Sequence, residues 1–276
     1  MSEQKGVSET AETTTLLRAL ACFETDSAGL GRDHLAKQFL PEERREKLAS
    51  AGWRRALKEK VEAKSAGLYE YVIARTAYFD ELFVNARKDN RQIVVLGAGY
   101  DSRAYRFPGH GAIFEVDTPA TQQRKRSILQ ANGIDLTKAQ FVAVDFERDD
   151  LFARLAESGY DFGQPSLFLW EGVLLYLSSE AVDSTLRAIR QNSYGVLAFD
   201  YLNMTTADRE EVVLKDERLL FGMGKQAIAA YMSSLGYRVL ENLDPDEISA
   251  RYLAGSDGRP CGAIKKTMNF LKAAMA

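Results

Sequence analysis

Several residue types that carry chemistry elsewhere are scarce or missing in this chain. Only two cysteines occur, Cys22 and Cys261, which excludes a dense disulfide framework and offers no zinc-type pair. The two histidines, His34 and His110, are too isolated for a catalytic triad or a metal site, and no nucleophile elbow occurs, so hydrolase chemistry is unsupported. No apolar run approaches the ~20 residues of a membrane helix. Lys and Arg number 36 against 39 Asp and Glu, a net charge of −3, which argues against a nucleic-acid binder that works by phosphate neutralisation. The acidic, Thr-rich start lacks a basic segment followed by an apolar core. The expectation is a cytoplasmic protein with a small-molecule or peptide partner and no bound metal.

What the chain does have is 276 residues, 46% hydrophobic and 27% charged, enough for a sizeable core. Ile93-Val94-Val95-Leu96 is a short apolar run suited to a central parallel strand, and it stops in Gly97-Ala98-Gly99-Tyr100-Asp101. Gly97 and Gly99 permit a tight turn against a ligand, though they also fit a plain strand-to-helix turn. Further apolar runs end in acids near 112–117, 140–145, 166–171 and 195–200, closing on Asp117, Asp145, Glu171 and Asp200. Each is followed by a polar, helix-like stretch, so the expected fold is α/β, a doubly wound, mostly parallel sheet. Asp117 lies eighteen residues beyond Gly99, where it can hold ribose hydroxyls or cap the helix opened by Pro119.

Residues 1–88 read as an all-helical cap and 89–276 as the core. Helices are expected over Thr13–Phe23, from Asp33, from Pro41 with a break at Gly52, and over Gly67–Lys88. On the last, Leu68, Tyr71, Val72, Phe79 and Leu82 mark one stripe, and Arg75 falls on it. A guanidinium there needs an anion, supplied by a ligand or by an internal salt bridge. Beyond Asn203 the pattern predicts helices near Arg209–Leu220, Lys225–Leu235 and Pro245–Tyr252, a strand near Tyr237–Leu240, a loop at 255–262 and a closing strand near Ile264–Phe270, with the sheet ending in an antiparallel strand drawn from residues 262–276.

Taken together, Leu96-Gly97-Ala98-Gly99-Tyr100-Asp101-Ser102-Arg103, Phe114-Glu115-Val116-Asp117-Thr118-Pro119, Asp145-Phe146, Glu171-Gly172-Val173-Leu174-Leu175-Tyr176-Leu177 and Ala74-Arg75-Thr76 resemble the leucine carboxyl methyltransferase family. The resemblance implies a Rossmann-like methyltransferase fold and S-adenosylmethionine as cofactor. It implies that Gly97 and Gly99 pack against the methionyl part, with Ala98 and Asp101 beside them in the cofactor site, that Asp117 holds the ribose, that Asp145 and Phe146 bracket the adenine, and that Glu171 lines the sulfonium end. Arg75 matches the arginine that pairs with the cofactor carboxylate, and Arg18 matches a basic position in the first helix less closely. Phe146 stands where many members have leucine, and Asp33-His34-Leu35 replaces a common Asp-Pro-Tyr.

A nicotinamide-dependent oxidoreductase is the main rival, but Ser102 occupies the place of the third glycine in Gly-x-Gly-x-x-Gly, and Asp101 would face a pyrophosphate. A second rival keeps the fold for binding alone. Methyl transfer to a carboxylate needs no dedicated base, since such an acceptor is ionised at neutral pH, whereas a phenol gains from one. With no histidine in any motif, the expected product is a methyl ester, with Glu171, Tyr176 and Tyr201 nearest the chemistry.

Overall fold

The computed structural model describes residues 9–23, 31–89, 91–204, 213–214, 217–254 and 262–275. The expectations for residues 1–8 and for the loop at 255–261 lie outside them. Among the described residues before 89 every regular element is helical: α1 (Glu9–Ala21), a 3₁₀ turn (Ala36–Phe39), α2 (Glu42–Leu48), α3 (Ala51–Lys64) and α4 (Leu68–Lys88). Gly52 does not break the chain. The break falls at Ala49-Ser50, where Ser50 accepts the Trp53 N–H and caps α3, leaving Gly52 inside its first turn.

The core then alternates: β1 (Gln92–Leu96), α5 (Arg103–Arg106), β2 (Ile113–Asp117), α6 (Pro119–Ala131), β3 (Gln140–Ala143), α7 (Leu151–Glu157), β4 (Ser166–Trp170), α8 (Ser179–Asn192) and β5 (Gly195–Leu202). All five strands begin within a residue of where the apolar runs place them. After them come the two-residue strands β6 (Val213–Leu214) and β7 (Glu217–Arg218), α9 (Lys225–Ser234), β8 (Tyr237–Leu243), α10 (Pro245–Tyr252) and β9 (Met268–Met275). The helix expected over 209–220 is not formed in its described part. Val213 pairs with Arg218 and Leu214 with Glu217 in a small antiparallel ladder, so cross-strand pairing overrides the helix-forming charge pattern. Among the described residues no helix is long and apolar enough to cross a membrane.

Sheet order is β3-β2-β1-β4-β5-β9-β8, with the first five strands parallel. The last strand in the chain does not close the sheet: β9 lies antiparallel between β5 and β8, and β8 forms the edge. Order reverses between β1 and β4, and in open α/β sheets the crevice beyond the strand ends at such a point takes the ligand. Here it juxtaposes the glycine turn after β1 with Glu171 after β4.

Two apolar interiors flank the sheet. On one face α1, α4 and α10 bury Leu17, Phe79, Phe83 and Ile248 against Ile93, Leu169, Ala198 and Phe270. On the other, α7, α8 and α9 cover Val94, Phe168, Trp170, Phe199 and Tyr201. The helical cap therefore shares a core with the sheet. Twelve residues of α4, Arg75 among them, are buried, because the helix has α1 and α3 on one side and strands on the other.

Candidate functional site

The glycine turn is stitched to the end of β2. Ala98 N–H donates to the Val116 carbonyl at 2.9 Å, Gly99 N–H to Asp117 Oδ2 at 2.6 Å and Thr118 N–H to Asp117 Oδ1 at 2.7 Å. Asp117 is thus a buttress of the turn, while Thr118 is the N-cap residue of α6. Burial pushes the Asp117 carboxyl above its ordinary range, opposed by the Gly99 and Thr118 amides. The Thr121 side chain also bonds this carboxylate, which leaves it one lone pair for a further donor such as a hydroxyl. The two glycines differ. Both have positive φ, +64° at Gly97 and +42° at Gly99, but a Cβ on Gly97 would lie 2.4 Å from Val173 Cγ2, whereas one on Gly99 meets nothing nearer than the Gly97 carbonyl at 3.8 Å. Gly97 packs on the protein, and Gly99 presents an open face.

Beside the turn lies a connected set of buried charges. Arg75 Nε is 3.0 Å from Glu171 Oε1, and its Nη1 is 3.4 Å from Asp200 Oδ2 and 3.1 Å from the Tyr71 hydroxyl. Arg103 pairs with Glu171 Oε2 at 2.7 Å, with Asp80 at 2.8 Å and with Asp101. Arg106 joins Asp80 at 2.7 Å to Asp33. Arg18 reaches Asp33 at 3.3 Å and donates to the Tyr100 carbonyl at 3.0 Å, which ties α1 to the glycine turn. Burial alone would raise the Glu171 carboxyl, but Arg103 and Arg75 outweigh it and hold it below its ordinary range. Asp101 is likewise pushed up by burial yet brought down to about 2, chiefly by Arg103.

The structure thus brings Arg18, Arg75, Gly97, Ala98, Gly99, Asp101, Asp117 and Glu171 together. Asp145 and Phe146 follow β3 beside the end of β2, where Val144 N–H donates to the Asp117 carbonyl at 3.0 Å; neither joins the buried charge set. The Asp145 carboxylate accepts from Glu147 N–H at 3.0 Å, and the half-buried Phe146 ring lies 5.9 Å from that of Trp170. Tyr176, in a 3₁₀ turn after Glu171, packs against the cap-side core. Tyr201 is not at the cluster. It belongs to the opposite core, with its hydroxyl bonded to Asn242 at 2.7 Å and Asn269 at 3.3 Å; period-2 alternation turns it away from the face that Asp200 occupies.

The sequence reading missed Tyr71, Asp80, Arg103, Arg106 and Asp200 as members. Asp200 carried a signal, since it closes an apolar run in the sequence as Glu171 does, although β5 continues to Leu202. Arg103 and Arg106 sit in a four-residue helix, too short to show a period.

Residues 11–190 match the family model for leucine carboxyl methyltransferase. A Mycolicibacterium smegmatis protein provisionally named an S-adenosyl-L-methionine-dependent methyltransferase is 42% identical over 127 residues, 45% of this chain and 40% of its own length. A Mycobacteroides abscessus protein of the same provisional name is 32% identical over 188 residues, 67% of this chain and 62% of its own. These matches therefore span less than two thirds of either relative. The crystal structure of a Thermobifida fusca protein, provisionally named a methyltransferase, superposes over 96% of each chain with a TM-score of 0.56 at 16% identity, a likeness of fold.

Proposed function

Because this chain belongs to the leucine carboxyl methyltransferase family, we propose that it is an S-adenosylmethionine-dependent O-methyltransferase that esterifies a carboxylate of a small molecule or peptide. The observation carrying the cofactor reading is Arg75, buried on the ligand side of the strand ends with donor capacity to spare: its Nε lies 3.0 Å from Glu171 yet without hydrogen-bond alignment. That suits an incoming carboxylate. The open face at Gly99 and the remaining lone pair of Asp117 suit a methionyl chain and a ribose hydroxyl. Asp145 and Phe146 are proposed for the adenine, and Arg18, through the Tyr100 carbonyl, for holding the turn in place. Asp101, occupied by Arg103, stands where a dinucleotide would bring phosphates, which disfavours the oxidoreductase alternative.

The cofactor, when bound, supplies a methyl group on a sulfonium, open to in-line attack. The protein's part is to hold both reactants in near-attack geometry and to exclude water. Glu171, shared by two guanidiniums and held below its ordinary range, is a poor proton acceptor. An acceptor that must be deprotonated gains little from it, and one already ionised loses nothing. Glu171 is proposed to face the sulfonium, with Tyr176 on the acceptor side as a hydrogen-bond donor.

Acceptor profiling with labelled cofactor tests this reading. Alkali-labile methyl esters, with turnover flat above roughly pH 6, are the expected result. Alkali-stable ethers as sole products would instead establish a hydroxyl or phenol acceptor, and absence of transfer with retained cofactor binding would indicate the binding protein.

A further inference from the structure

Asp200 is fully buried two residues before the end of β5 and touches both the turn after β4 and the helix α4. Its Oδ1 accepts the Gly172 N–H at 2.6 Å, and its Oδ2 accepts the Tyr71 hydroxyl and lies 3.4 Å from Arg75 Nη1. The Tyr71 hydroxyl, while donating to Asp200, accepts from Arg75 Nη1 at 3.1 Å. The guanidinium lies against the turn after Glu171: a Cβ on Gly172 would come within 2.7 Å of Nη1, and the positive φ of +70° at Gly172 also disfavours a side chain. Nη1 of Arg75 is thus committed to Tyr71 and Asp200, and no hydrogen bond from Nη2 forms among the described residues.

We propose that Tyr71 and Asp200 are a positioning pair that pins Arg75 by Nη1, keeping its other donors turned toward the cofactor carboxylate instead of collapsing onto Glu171. This rests on the cofactor reading above. Two carboxylates compete for Arg75, and Glu171 is already within 3.0 Å. A bidentate pair with Glu171 would use the edge the ligand needs. The Tyr71 hydroxyl prevents it by adding a second anchor from its own helix, one turn back. Burial, reinforced by Asp200 though opposed by Arg75, pushes the Tyr71 phenol well above its ordinary range, so it stays a donor to Asp200 and an acceptor for Arg75 across working pH.

Calorimetric titration with S-adenosylhomocysteine tests the pair in a cycle of wild type, Tyr71→Phe, Arg75→Ala and the double variant. Tyr71→Phe should weaken binding roughly 3- to 10-fold, the range of one hydrogen bond, and raise the donor KM with kcat at saturation unchanged. In the Arg75→Ala background it should add nothing, because it acts through Arg75. Equal losses in both backgrounds, or wild-type affinity in Tyr71→Phe, overturn the pair while the cofactor reading stands. A wild type that binds no S-adenosylhomocysteine, or an Arg75→Ala protein that binds as well as wild type, overturns that reading and the inference with it. Asp200→Asn, with its melting temperature recorded, is the second variant: a loss of affinity in a folded protein agrees with the proposal, and unaltered affinity contradicts it.

Discussion

On β5, neighbouring side chains enter two differently built interiors. Asp200 faces Tyr71 and Arg75, whereas Phe199 and Tyr201 face the apolar cluster under α8 and α9, and all three are 0% exposed. The second interior is held by burial of apolar area, worth about 25 cal/mol per Å². The first places Arg18, Arg75, Arg103 and Arg106 among Asp33, Asp80, Asp101, Glu171 and Asp200, an arrangement in which desolvation can cancel the Coulombic gain. Its use is better sought in recognition than in stability. A ligand with a carboxylate, an ammonium and a sulfonium fits a site supplying both signs.

The comparison breaks most visibly in stability. Arg103→Ala strands Asp101 and leaves Asp80 and Glu171 with one guanidinium each, Arg106 and Arg75; it should cost about 3–5 kcal/mol, a loss that Phe168→Ala on the other face should match through cavity formation. Their pH dependence should differ. Asp101 is held at about 2 by Arg103, below the ordinary 3.8 of the unfolded chain, so its contribution is present above the higher value and lost as pH falls through the lower one. Urea unfolding from pH 7 down to 3 should show the Arg103→Ala deficit shrinking and that of Phe168→Ala staying level. Identical profiles would erase the distinction between the two faces.

Ligand affinity sharpens it next. Arg75→Ala should weaken S-adenosylhomocysteine binding by about 1.5–3 kcal/mol, the range for a charged hydrogen bond, and Asp117→Ala by about 1–3 kcal/mol, both in folded protein by circular dichroism. The smallest effect belongs to the far face. Tyr201→Phe should lose about 0.5–1.5 kcal/mol of stability with methyl-transfer kinetics unchanged; a raised acceptor KM would return Tyr201 to the site.

The central strands β1 and β4 were legible because they are covered on both faces and so appear as unbroken apolar runs; β3, at the sheet edge with Gln140 and Ala143 exposed, was legible from its Phe141-Val142-Ala143-Val144 run ending in an acid. Arg75 was legible for the opposite reason, a charge where the helical stripe demands an apolar residue. The rest depends on contacts that sequence spacing does not encode. Arg103 meets Asp80 from another helix, and Glu171 meets both Arg75 and Arg103 only because β1 and β4 are neighbours. Tyr201 could have been set aside by alternation, since Asp200 already claimed the cap-side face. The Val213–Arg218 ladder shows local propensity yielding to pairing.

The position of β9 bears on the order in which the molecule can be made. β8 ends at Leu243, and the strand that connects it to the sheet begins only at Met268, so on the ribosome β8 waits for a neighbour not yet synthesised. At roughly 5–20 residues per second, the β1–β5 half, complete at Leu202, can assemble at least about 3 s before its edge partner at Met268 is made. Until then β5 shows a bare flank of backbone N–H and C=O groups to the cell. Nascent chains stalled between residues 243 and 268 would display that flank, and chaperones and unwanted strand partners would meet the protein there first.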